Sequence, residues 1–458
     1  MELPPYSETE SGSTQLLQAA EHGDEGAVKL LLERQDIDPN AADTKYGRTP
    51  LFWAVEKGHE GVVKLLLKRD DIDPNTADTE YGQTPLERAA LQGHQKILKL
   101  LLGREDINLN TPGHKSQVAP LGQAAWAGHE RVVELLLQRG GINPNIPGTQ
   151  YSIKPLHWAE QRGHAGVVKL LLERKDIDPN TTETIYGETP LLWATGTGQD
   201  RVVELLLKRE DIDPNAGGPK HGRAPLWWAA DHGYEGVVNL LLRREDVNPN
   251  TADTEYGRTP LILAVRRGYA GVVTLLLKRE DVNPNAADTE YGRTPLLWAV
   301  QMWYTGVVAL LLKREDINPN IADSRCGGTP LWWAAQFGYV EIVKSLLERK
   351  DLNLDIRGPT GQTALEVAAS WKHARVVEIL SQFKPSHPLP RNLASKPSKR
   401  YRGSRELPLP GCCRRLQKAP PGVRACIVFV VISFIGLLAI IFVLIFFHPQ
   451  ANRSWCAE

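Results

Sequence analysis

The chain has 458 residues, 54 Lys and Arg against 54 Asp and Glu, and is 42% hydrophobic; that balance excludes a wholly disordered or wholly membrane-embedded chain. Zero net charge argues against a general nucleic-acid binder, which carries a basic excess, and five scattered cysteines are too few for a secreted disulfide scaffold. The neutral total hides an asymmetry: residues 1–383 hold 42 bases and 52 acids, residues 384–458 twelve bases and two acids.

A polar tail, 1–10, precedes a repetitive region, 11–383. Proline recurs at Pro50, Pro85, Pro120, Pro155, Pro190, Pro225, Pro260, Pro295 and Pro330, each step 35 residues. Weaker units at Thr14-Gln15 and Thr363-Ala364 bring the number to about eleven. In one unit, Thr49-Pro50 predicts a helix start, since Thr caps free N–H groups and Pro suits the first turn. Leu51, Trp53, Ala54 and Val55 supply apolar surface, and Gly58 ends the helix. A second helix is predicted from Glu60 to about Arg69, with Val62, Val63, Leu65, Leu66 and Leu67 on its apolar face and Lys68-Arg69 at its negative end. Asp71-Ile72-Asp73-Pro74-Asn75 reads as turn chemistry. Two short helices cannot form a core alone, so the units must stack into an elongated all-α solenoid.

Gly47-x-Thr49-Pro50-Leu51-x-x-Ala54, Gly58-His59 and Val62-Val63-x-Leu65-Leu66-Leu67 resemble the ankyrin repeat. The resemblance covers about four-fifths of the chain, and the repeated DIDPN and YGRTPL resemble the long ankyrin arrays of filamentous fungi. The resemblance implies a helix–turn–helix unit with a projecting finger. The family's usual unit is about two residues shorter; the extra residues fall near Tyr46 and Pro74, so a longer finger is expected. The family's His after Pro-Leu survives as His157; elsewhere the position holds Phe52, Glu87, Gly122, Leu192, Trp227, Ile262, Leu297, Trp332 and Glu366, so its hydrogen bond is expected to be mostly absent.

Residues 384–424, with eleven bases, one acid and eight prolines, read as a basic linker. Ala425–Phe447 is a 23-residue run without charge, long enough for a transmembrane helix; residues 448–458 form a short tail. The basic flank predicts a cytosolic array, and the polar N-terminus shows no signal peptide. The expectation is a single-pass tail anchor in the endoplasmic reticulum or another secretory-pathway membrane rather than a mitochondrial one, with Cys412 and Cys413 as possible lipidation sites.

No catalytic, cofactor or metal site is expected. His59-Glu60 and His129-Glu130 begin an H-E-x-x-H pattern, but Val63 and Val133 stand where the second His belongs. The Trp series 53, 158, 193, 228, 298 and 333 reads as packing between units, whereas Trp126, Trp303 and Trp371, near the end of the first helix, are expected to be exposed and to favour partner contact.

The two residues before each Gly58 equivalent scatter from unit to unit. The ankyrin resemblance implies that these positions and the finger line a concave, partner-binding face. Lys45, Glu56, Lys57, Trp126, Arg162, Asp231, Glu255, Arg266, Arg267, Glu290, Gln301 and Phe337 are therefore the expected binding residues, with the Arg266-Arg267 pair exposed and Lys278-Arg279 as charges on the outer helix. Fingers also depart at His114-Lys115-Ser116, Thr149-Gln150-Tyr151 and Pro219-Lys220-His221. The expected function is a non-catalytic protein–protein interaction scaffold or adaptor held at a membrane, with protein partners and no nucleic acid. The alternative is a regulatory subunit that binds and localises a membrane-associated enzyme.

Overall fold

Each Thr-Pro opens a helix for the expected reason. Thr49 Oγ1 accepts from Phe52 N at 3.2 Å, and Pro50 takes the first helical position, where no N–H is needed. The helix runs Pro50–Glu56 and the second runs Glu60–Leu66. Between them Gly58 adopts φ +79°, a left-handed conformation that side chains other than Gly rarely take. The computed structural model describes residues 12–113, 117–148, 153–182 and 187–383. Among these, 22 helices pair into eleven units, from Gly12–His22 with Glu25–Leu32 to Ala364–Ser370 with Ala374–Gln382, and no strand forms. Contacts divide the chain after Leu389, and all described residues lie in the first part.

First helices pack on first helices of neighbouring units and second helices on second helices. The buried seam is the one the pattern requires: Leu51, Ala54, Val55, Val62, Val63 and Leu66 are buried, and their equivalents repeat along the array. Each fully buried Val or Leu contributes about 1.5–3 kcal/mol. Leu65 and Leu67 are partly buried against that core.

The second helix is shorter than the sequence reading, ending at Leu66 rather than near Arg69. Arg69 does not serve its own helix. Its Nη1 donates to Leu32 O at 2.7 Å, the carbonyl that ends the preceding unit's second helix, while Nε and Nη2 grip Asp71 at 2.8 and 2.6 Å. The hydrogen bond from Arg69 holds the Asp71 carboxyl below its ordinary range. A cation thus caps the negative end of its neighbour's helix. Arg174, Arg209, Arg244, Arg279, Arg314 and Arg349 repeat the bond. Arg279 is therefore a strut between units and not a free outer charge.

Asn75 and its equivalents also do more than turn the chain. Asn40 Nδ2 donates to Asp71 O at 2.7 Å, and Asn40 Oδ1 accepts from Asp73 N at 2.8 Å. The same two-bond clasp joins later units, ending with Asn320 on Asp351 O and Asn353 N. The Gly-His step forms a third ladder: His59 Nε2 donates to Glu21 O at 2.9 Å, and His129, His164 and His373 repeat it. A carbonyl can only accept, so Nε2 carries the proton in each.

Among the described residues no helix is long and apolar enough to cross a membrane. The proposed span 425–447, Cys412, Cys413 and the linker 384–424 lie outside the described residues, as do His114-Lys115-Ser116 and Thr149-Gln150-Tyr151.

Candidate interaction surface

A repeated aspartate ties each of several fingers to the first helix that follows it. Asp43 Oδ1 accepts from Lys45 N and Tyr46 N at 2.9 and 2.5 Å, and Oδ2 accepts from Arg48 N and Trp53 Nε1 at 3.2 and 2.9 Å. One carboxylate folds the finger and fixes the indole beside it. Asp288 with Trp298 and Asp323 with Trp333 repeat the arrangement, each at 2.8 Å. Sequence reading missed the aspartate, although Asp and Trp keep a constant separation of ten residues at all three places. The Trp series is thus half packing, half face: Trp298 and Trp333 are buried, while Trp53, Trp158, Trp193 and Trp228 are half-buried.

The former His position retains a bond across units, in other chemistry. Trp227 Nε1 lies 3.1 Å from Arg258 O and 3.2 Å from Asp253 Oδ2 in the next finger. Trp332 Nε1 donates to Gln362 O at 3.0 Å. Glu87 accepts from Gly113 N and Thr84 N, both at 2.7 Å, and burial pushes its pKa up to about 7. The family hydrogen bond is mostly absent, as expected, since Phe52, Gly122, Leu192, Ile262 and Leu297 have no polar side chain; at Glu87, Trp227 and Trp332 a carboxylate or an indole reaches the neighbouring unit instead.

Several expected binding residues pair with each other or with neighbours. Lys57 faces Glu21 at 3.6 Å, Arg162 lies over Trp126 at 4.5 Å, and Arg267 grips Asp231 at 3.0 Å. In each case the first scattered residue of one unit meets the second of the next, a 36-residue separation that the sequence shows once it is sought. Glu56 accepts from Arg88 Nη2 at 2.7 Å, and Lys45 sits over Tyr46 at 4.6 Å. Gln301 is half-buried, and so is Phe337, which stacks on Trp333 at 5.7 Å.

One expectation changes. Arg266 is not exposed like Arg267: it lies 4.6 Å over Trp298, its Nε is buried, and burial lowers its pKa. Glu255 and Glu290 are paired with arginines of the preceding fingers. Arg223 of the preceding finger holds Glu255 at 3.0 Å, and Arg258 holds Glu290. Finger charges on this stretch are spent on joining fingers.

Exposed aromatics gather in units nine to eleven. Trp303 stands where every other unit but the last, which has Lys372, carries Gly; it keeps the left-handed φ at +59° and is 64% exposed. A bulky residue in that region is a strained outlier. It stacks on Tyr339 at 5.9 Å, and Phe337 lies 5.4 Å from the same ring. Trp371 is 60% exposed, as expected, whereas Trp126 is half-buried beneath Arg162. The departing finger Pro219-Lys220-His221 lines an open hollow of about 520 Å³ with Glu188, Arg223 and Trp228. Among the described residues no cluster of three His, Cys, Asp or Glu side chains is placed to hold a metal ion.

The family model for Ankyrin repeats (3 copies) matches overlapping segments 16–112, 72–148, 112–183, 156–253, 226–323 and 317–388. The chain belongs to the ankyrin-repeat family. Ankyrin repeats are generally non-enzymatic modules that bind protein partners, and no catalytic family is indicated. No curated protein matches the chain.

Proposed function

We propose that this ankyrin array is a non-catalytic scaffold or adaptor that takes its protein partner on a concave face formed by first-helix ends and fingers. A single contrast carries the reading. The Arg and Asn ladders along the other edge repeat almost unchanged from unit to unit, whereas the first-helix ends change from Glu56-Lys57 to Arg266-Arg267 to Gln301-Met302. Repetition holds the stack together; variation supplies a surface that one partner can fit and others cannot. Exposed Trp303 and Trp371 add the large aromatic area that binding surfaces favour.

The same reading places the array on the cytosolic side of a secretory-pathway membrane, tail-anchored by residues 425–447. The uncharged run of 23 residues and the eleven bases before it support this. Cys412 and Cys413, in that basic stretch, are the proposed lipidation sites. The DIDPN and YGRTPL phrasing supports kinship with fungal arrays.

Deleting 425–458 is expected to move the protein from the carbonate-resistant membrane pellet to the soluble fraction, while the discrete proteins cross-linked to the array stay the same. A truncated chain that still pellets contradicts the anchor. A chain that cross-links to no discrete protein in either form contradicts the scaffold.

A further inference from the structure

Successive fingers are joined by charge pairs 32 residues apart. Arg48 donates to Glu80 at 2.8 Å, Arg223 to Glu255 at 3.0 Å, and Arg258 to Glu290. Glu188 and Lys220 occupy the same two places with the signs exchanged. At the next step the pattern breaks: the residue 32 beyond Arg293 is Arg325.

The fold nevertheless brings both arginines to one tyrosine ring. Ser324 N donates to Tyr291 O at 3.1 Å, the same finger-to-finger bond that Thr289 N makes to Tyr256 O. Both guanidiniums lie against the ring of Tyr291, 4.4 Å from its centroid for Arg293 and 5.3 Å for Arg325. Arg293 is only 4% exposed, and among the described residues its Nε has no hydrogen-bond partner and no carboxylate pairs with it. The nearby Asp288 and Asp323 are occupied by finger amides and by the Trp298 and Trp333 indoles. Arg325 is exposed, and none of the described carboxylates pairs with it.

The tenth unit's finger also differs in sequence. Where the preceding finger carries Tyr291 and Arg293, it carries Cys326 and Gly328. Two like charges replace a closed pair.

We propose that Arg293 and Arg325 form a binding site for an anionic oxygen group, a carboxylate or phosphoryl group on a protein partner, which completes the finger ladder from outside. Guanidinium forks match both groups, and the aromatic floor orients them. The proposal rests on the scaffold reading for its partner, but the anion site is tested without one.

The test uses the full chain in detergent and three fluorescent nine-residue Gly/Ser peptides, carrying Glu-Glu, phosphoserine or Gln-Gln at the centre, read by anisotropy. The Glu-Glu or phosphoserine peptide is expected to bind at ~1 mM or tighter, more weakly as salt rises, and the Gln-Gln peptide not to bind. Which of the first two binds tells a carboxylate source from a phosphoryl one. Arg325→Glu restores the pairing of the neighbouring steps, so it should fold and lose at least about tenfold in affinity. Glu290→Arg should open a second site at Arg258 and raise the stoichiometry. Equal binding by wild type and Arg325→Glu, or no binding of either anionic peptide to wild type, overturns the proposal; neither result touches the choice of binding face.

Discussion

Leu136→Ala is expected to cost about 2–5 kcal/mol, the lost transfer free energy of a fully buried side chain plus the cavity it leaves. The loss should stay local. Leu136 lies in the second helix of unit four, Glu130–Gln138, and in a linear stack each unit is stabilised by its two neighbours alone. That unit already lacks one strut. Gly141 stands where the arginine ladder elsewhere has its aspartate, and Arg139 Nε has no partner among the described residues. Amide exchange should therefore accelerate in units three to five, with units nine and ten unaffected. Acceleration spread evenly over all eleven units would show a single cooperative block instead.

Glu160→Val is expected to stabilise the array, by about 1–4 kcal/mol at neutral pH. Glu160 occupies the buried first-helix position that holds Val55, Val265 and Val300 in other units, so a valine has room there. Its two carboxyl oxygens have no hydrogen-bond partner among the described residues, and burial drives its pKa well above the ordinary value. The sign follows from linkage. The folded state holds the proton more tightly than the unfolded one, so this group's favourable term is fully present below about pH 4.5 and shrinks as pH rises toward the folded value. The gap between variant and wild type should therefore widen from pH 4.5 to pH 7.5, measured as exchange protection of unit five. A gap independent of pH would mean that the carboxyl is ionised and paired in the fold.

What the sequence made readable was what a 35-residue period and helical spacing encode: eleven units, Thr-Pro starts, Gly stops and the Val/Leu seam. What it hid were bonds whose other end is a backbone carbonyl. Arg69 looked like a charge serving its own helix because Leu32 O, 37 residues earlier, leaves no mark on side-chain identity. Asn40 looked like a turn residue for the same reason. Arg266 was misjudged because exposure was read from its place at a helix end, whereas Trp298 of the next unit lies beneath it. The pairings of Glu255 and Glu290 were available in principle, since Arg and Glu recur 32 residues apart. They emerge when positions are compared between units rather than within one.

The most direct test of the binding-face assignment places a photoreactive benzoylphenylalanine at one residue at a time in the full chain in cells. Arg267 and Met302 are exposed at first-helix ends, and Asn239 and Ala309 are exposed on second helices. Surface substitutions of this kind usually change stability by less than about 0.5 kcal/mol, so all four proteins should fold. The account predicts a discrete higher-mass adduct from Arg267 and Met302 and none from Asn239 and Ala309; adducts of equal yield from both pairs, or from the second-helix pair alone, would contradict it.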